Sequence, residues 1–156
     1  MQGSYRARQR HRWWIHLGGT IIPIHVDQFM ATQEVFPSLI PVAKAKNFVY
    51  AITVKIEGIV GSGSRAKIQY HLFVDLTNFP NAMPDIFIVN LPDHQIKHIN
   101  VYHPKPCAKL NGSFPYICIG NLKEELQKYR HLMAFLQGVR RILNSENEKD
   151  PARRPS

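Results

Sequence analysis

The chain has 156 residues, 44% of them apolar and 20% charged, which excludes a disordered polypeptide and suits one domain with its own core. Its two cysteines, Cys107 and Cys118, form no Cys-x-x-Cys pair, which excludes a disulfide scaffold and points to free thiols in a reducing, cytoplasmic setting. The net charge of +9 would serve nucleic acid, but much of it lies in the arginines of two ends read as floppy (Arg6 to Arg12, and Arg153 with Arg154), and an acidic protein partner would use it equally well, so nucleic acid is not the expected partner.

Residues 1–26 form a basic segment without Asp or Glu. Its composition would suit a transit peptide, but Ile21 to Val26 reads as a strand, so the segment is taken as a tail leading into a domain over 27–156. Trp13-Trp14 is expected to pack on that domain. Asp27 would cap a short helix reaching about Leu39, with Phe29, Met30, Val35 and Phe36 on its buried side and Pro37 or Pro41 as its stop.

Two strands follow. Phe48, Tyr50, Ile52, Val54 and Ile56 alternate with Val49, Ala51, Thr53, Lys55 and Glu57, and Ala66, Ile68, Tyr70, Leu72, Val74 and Leu76 repeat the period. Gly58 and Gly61-Ser62-Gly63-Ser64 supply the turn between them. After Phe79-Pro80-Asn81-Ala82-Met83-Pro84, a third strand runs over Asp85 to Val89. The expected sheet is an antiparallel meander of about four strands, one face of which must be covered. A helix from about Lys123 to Leu143 would cover it with Leu122, Leu126, Tyr129, Leu132, Met133, Leu136, Val139 and Leu143. No apolar run approaches the roughly 20 residues of a membrane helix.

Leu91 to Asn121 reads as a long irregular loop, and such loops are commonly functional. Cys118 lies within it, fifteen residues after His103, and a thiol between a meander and a crossing helix is a candidate nucleophile. Ile117 and Ile119 beside it favour a buried core thiol, whereas Gly120 and the loop-to-helix junction favour exposure. Cys107, after Lys105-Pro106, is expected to be exposed and is the reserve nucleophile. His94, His98, His103 and Cys107 recur at intervals of four and five, which would suit zinc, but prolines interrupt them, so no metal and no cofactor are expected. A Cys–His hydrolase needs a histidine held by a third group near the thiol, and no accompanying signature marks one.

The ordered set of two strands around a Gly-rich turn, the proline-bearing Phe79 to Pro84, a strand, His103-Pro104, Ile117-Cys118-Ile119, a helix and Asn147-Glu148-Lys149-Asp150-Pro151 resembles the ubiquitin-conjugating enzymes over about residues 48–151. The chain looks like a divergent member, similar to bacterial ubiquitin-conjugating-like proteins encoded beside an activating enzyme and a ubiquitin-like protein; antiviral defence is the association this carries. The resemblance implies an α+β fold in which the meander is packed by the C-terminal helix, with the active-site loop between them. It implies that Cys118 accepts a ubiquitin-like protein as a thioester from an adenylating activating enzyme and transfers it to an amine of a target protein. His103 would order the loop. Lys105 stands where the family has the Asn of His-Pro-Asn, so Lys105, Asn111, Asn121 or backbone donors would have to supply the oxyanion donor, with Asn111 and Asn121 as the candidates. The basic N-terminal segment would meet the activating enzyme. The alternative is a non-catalytic variant of the same fold that binds a modifier or another partner.

Overall fold

The computed structural model describes residues 24–79, 81–117, 119, 131–149 and 151–154. A two-residue strand β1 (Ile24–His25) leads into helix α1 (Val26–Val35). The cap is His25 rather than Asp27: its Nδ1 accepts the Asp27 N–H at 3.1 Å, and Asp27 in the first turn faces the positive end of the helix. Pro37 follows the helix end, as expected of a residue without an N–H to give. Phe29 and Phe36 are buried as foreseen, but Met30 is 59% exposed and Val35 is also exposed. Thr32 is buried in addition, because its hydroxyl donates back to the Gln28 carbonyl at 2.8 Å.

Just beyond the expected helix lies an edge strand that was not foreseen, β2 (Ile40–Ala45), paired with β3 (Phe48–Gly61). Pro41 masks the strand signal, since proline is tolerated only where the ladder has a free edge. β3 pairs with β4 (Ser64–Asp75) from Ala51 opposite Asp75 to Gly61 opposite Ser64. The link is the two-residue turn Ser62-Gly63, both at positive φ (52° and 88°), the geometry that matches strand twist. Gly58 is not part of the turn. It lies inside β3, where a Cβ would fall 2.6 Å from the Leu143 carbonyl oxygen, so glycine is what lets the C-terminal helix rest on the strand.

β5 (Ile86–Ile88) continues the meander beside β4. The long stretch expected to be irregular then folds into a hairpin, β6 (Val101–Cys107) and β7 (Gly112–Ile117), which docks on β5 with Phe87 opposite Tyr116. Among the described residues the sheet is antiparallel with order β1-β3-β4-β5-β7-β6, and β2, off that path, pairs with β3. It has seven strands rather than about four.

Helix α2 (Leu132–Leu143) covers one face, burying Leu132, Phe135, Leu136, Val139 and Leu143 against Ile52, Val54, Leu72, Val74 and Ile88. The expected turns before it, with Leu122, Leu126 and Tyr129, lie outside the described residues. Phe135, which the predicted stripe omitted, is fully buried and meets the Phe79 ring at 5.4 Å, while Met133 is half-buried. Gln28 of α1 accepts the Leu132 N–H through Oε1 at 2.7 Å, so α1 caps α2 from outside. The second face is apolar too. Ala51, Phe73, Phe87 and Cys107 form a separate buried cluster, roofed by the tip of the β6–β7 hairpin, whose Lys109 Nζ reaches Asp75 Oδ1 at 2.7 Å. The molecule is thus α+β, an antiparallel sheet with two described helices.

Candidate functional site at the β6–β7 hairpin

Cys118 and Asn121 lie outside the described residues. The strand that ends at Ile117, one residue before Cys118, is described, and so is its partner. Val101 lies opposite Ile117 and Tyr102 opposite Tyr116, but the next pair is Lys105 with Phe114. Two residues of β6, His103 and Pro104, therefore face one residue of β7, Pro115. This is a β-bulge, a device that bends a strand and re-aims its side chains. The prolines explain it: neither Pro104 nor Pro115 has an N–H for the ladder. The hairpin thereby brings His103-Pro104 beside a residue three positions before Cys118.

His103 is held rather than free. Its Nδ1 is 2.7 Å from Asp93 Oδ2, and because a carboxylate only accepts, Nδ1–H is the donor. The other Asp93 oxygen accepts Arg153 Nη2–H at 2.6 Å. Arg153, read from sequence as part of a floppy end, has a side chain only 6% exposed. It also donates to the carbonyls of Val101 (2.6 Å), Ile96 (3.1 Å), Tyr102 (3.2 Å) and Asp93 (3.3 Å). Burial alone would raise the Asp93 pKa; the bonds and charges of His103 and Arg153 outweigh it and hold the carboxyl below its ordinary range. These partners of His103 were not foreseen.

Lys105 is engaged as well. Its Nζ lies 2.8 Å from Asp85 Oδ1 and 4.1 Å from the centroid of the Tyr116 ring, which stacks on Tyr102 at 4.9 Å. Asn111 sits at the hairpin tip in the left-handed region, φ 53°, a conformation asparagine tolerates. The length of β7 separates it from Ile117, roughly 16 Å of strand, so its place in the fold is that of a turn residue at the hairpin tip.

Cys107 corrects its expectation outright. It is 5% exposed and packs with Ala51, Phe73 and Phe87, which withdraws it as a reserve nucleophile. The histidines considered for zinc diverge. His98 is fully buried, while His94 and His103 line a surface cavity. Among the described residues no three His, Cys, Asp or Glu side chains gather to hold a metal ion.

Compared with protein-family models, curated proteins and solved structures, the chain matches none. Among the described residues no helix is long and apolar enough to cross a membrane.

The segment that anchors the site is itself anchored by Glu146, just past α2. Its Oε2 accepts the N–H groups of Ser62 (2.7 Å) and Ile99 (3.3 Å), and Oε1 that of Gly63 (3.2 Å). Asn100, 4% exposed, exchanges two bonds with the Asn147 backbone, at 2.8 and 3.1 Å. Burial would raise the Glu146 pKa, but the three N–H donors outweigh it and hold the carboxyl low. His98 is held neutral because burial disfavours its cation more than Glu146 and the backbone carbonyls of Ile142, Ser145 and Leu143 favour it.

A two-stage acid response follows. An unfolded His98 takes a proton below about pH 6.5 that the buried ring refuses, so stability falls as pH drops through that value. Glu146, Asp93 and Asp75 all have lowered pKa values. Their contribution is complete above the unfolded carboxyl value near 4 and is lost as pH falls through the lower folded values. Urea midpoints measured between pH 8 and 3 should show both stages. His98→Asn, which keeps an acceptor for the Asn100 N–H, should flatten the upper stage alone; an unchanged upper stage would contradict the assignment.

Proposed function

We propose that this chain carries a ubiquitin-like modifier: Cys118 accepts the modifier's C-terminal glycine as a thioester from an adenylating activating enzyme and passes it to an amine of a target protein, as do the ubiquitin-conjugating enzymes it resembles. The observation that carries this reading is the bulge at His103-Pro104, set by register beside the end of the strand that runs into Cys118. By register His103-Pro104 lies opposite Pro115, three residues before Cys118 in the sequence, which supports a shared active loop. The antiparallel meander with a helix on one face and the Asp93–Arg153 clasp on His103 also support it.

The chemistry conserves bonds at each step. The Cys118 thiolate attacks the carbonyl of the incoming thioester; the new S–C bond forms as the activating enzyme's S–C bond breaks, and that thiolate leaves. A target amine then attacks the same carbonyl, the C–N bond forms, the Cys118 S–C bond breaks, and the cysteine takes up the amine's proton. The oxyanion formed in between needs a donor. With Lys105 bound to Asp85 and Asn111 at the hairpin tip, that role falls to Asn121 or to backbone N–H groups.

One observation favours a second reading. The Lys105 ammonium, standing where the resembled family has its asparagine, is committed to Asp85 and Tyr116, which suits a non-catalytic module that binds a modifier. Alkylation tests the carrier first. Native protein treated with N-ethylmaleimide should be modified at Cys118 at least about tenfold faster than at Cys107, because thiol reactivity follows access and thiolate character. A Cys118 as protected as the buried Cys107 would rule out the carrier.

A further inference from the structure

A cavity of about 590 Å³ opens beside β6, lined by Asp93, His94, Lys97, His103, Arg153 and Arg154. Its charge is one-sided: three permanent cations share it with a single carboxylate. That carboxylate is spent, one Asp93 oxygen on His103 and the other on Arg153. Arg153 is spent too, its three nitrogens all donating to the protein, so it forms a fixed positive floor. Lys97 and Arg154 are exposed and have no carboxylate partner among the described residues. A second cavity, lined by Lys55, Ile56, Glu57, Arg140 and Asn144, differs in carrying a carboxylate with no cation fixed to it, and its Arg140 lies over the Phe36 ring at 4.4 Å.

We propose that the cavity between Lys97 and Arg154 binds the phosphate of a small phosphorylated molecule. Three cations against one carboxylate leave room for a dianion. An arginine fork and an ammonium supply N–H donors that a phosphate accepts from several directions, over a fixed positive floor. The volume falls within the range of small-molecule sites, about 300–1,000 Å³, and exceeds what one phosphate fills. The ligand therefore carries more than a lone inorganic ion, and a diphosphate should bind better than orthophosphate. The proposal does not rest on thioester chemistry at Cys118, although the cavity shares His103 and its Asp93–Arg153 clasp with that site.

The full chain, ¹⁵N-labelled, is titrated with orthophosphate, with pyrophosphate and, at low salt, with a short DNA duplex. The expected result is saturable shifts at the amides of Lys97, Arg153 and Arg154, with pyrophosphate tighter than orthophosphate. Lys97→Gln combined with Arg154→Gln should weaken pyrophosphate by at least about tenfold, the loss of two charge-assisted contacts. The replaced side chains are exposed, so the fold should survive, and Arg140→Gln, at the other cavity, should leave affinity unchanged. Shifts that fail to saturate, an affinity equally reduced by Arg140→Gln, or binding of the duplex with none of pyrophosphate would each overturn the assignment.

Discussion

Cys118→Ala is expected to abolish acyl loading. A peptide ending in Gly-Gly, supplied as its mercaptoethanesulfonate thioester, should load the wild-type chain with one adduct that dithiothreitol removes. Cys107→Ala should load normally, since that thiol is sealed between Phe73 and Phe87. Cys118→Ser should load slowly, and its adduct should resist dithiothreitol and yield to hydroxide, because an oxygen ester lacks the leaving group of a thioester. The loss from thiol to hydroxyl should be at least about a hundredfold, or some 3 kcal/mol of barrier. The second step separates the two readings of the fold. A carrier discharges its adduct onto free lysine faster than water hydrolyses it, whereas a binding module loads at most by adventitious exchange and never discharges. Mass spectra of the intact chain read both steps. Loading at Cys107, or an adduct inert to lysine, would end the catalytic proposal.

The parts of the molecule legible in the sequence are those where one physical signal dominates. β3 and β4 follow from a period of two carried over ten registered positions, and α2 from a 3.6 period ending in Arg140 and Arg141. Where two signals compete, the reading failed. Pro41 was read as a helix stop and Pro104 and Pro106 as marks of a loop, yet all three lie in β2 or β6, tolerated at an edge or a bulge. Gly58 looked like turn chemistry but answers to the helix above it. Cys107 looked exposed beside Lys105 and Pro106 because the second apolar face of the sheet, formed by Phe73 and Phe87 from different strands, has no signature in local sequence. The same reason hid Arg153. Its acceptors come from Asp93, Ile96, Val101 and Tyr102, roughly fifty residues earlier in the chain, and terminal arginines near Pro151 and Pro155 otherwise read as solvent-facing. The register that sets His103-Pro104 against Pro115 was not legible, because a bulge is a property of two strands together.

Arg153→Ala should cost the fold more than any exposed arginine does. The side chain is 6% exposed and gives hydrogen bonds to four carbonyls and to the Asp93 carboxylate. Removing it leaves those acceptors without the cation that satisfied them, and leaves Asp93 with His103 alone. Breaking a buried, hydrogen-bonded charge pair from one side costs about 3–5 kcal/mol when both partners are sealed. Asp93 is 29% exposed, so water recovers part of that and about 2–3 kcal/mol is the expected loss. For a chain of this size that lowers the melting temperature by roughly 5–10 °C. Arg153→Lys keeps the charge but loses the planar fork, and should recover less than about half of it. Arg140→Ala, whose side chain lies over Phe36, should cost under about 1 kcal/mol. Thermal and urea unfolding of the three variants measure these differences directly. The local consequence is as informative as the global one. With the Arg153 clasp gone, Asp93 should titrate closer to an ordinary carboxylate, and the His103 side chain should lose its fixed orientation at the bulge. An Arg153→Ala chain as stable as wild type, with His103 unmoved in its NMR spectrum, would show that the bulge is held by the prolines alone.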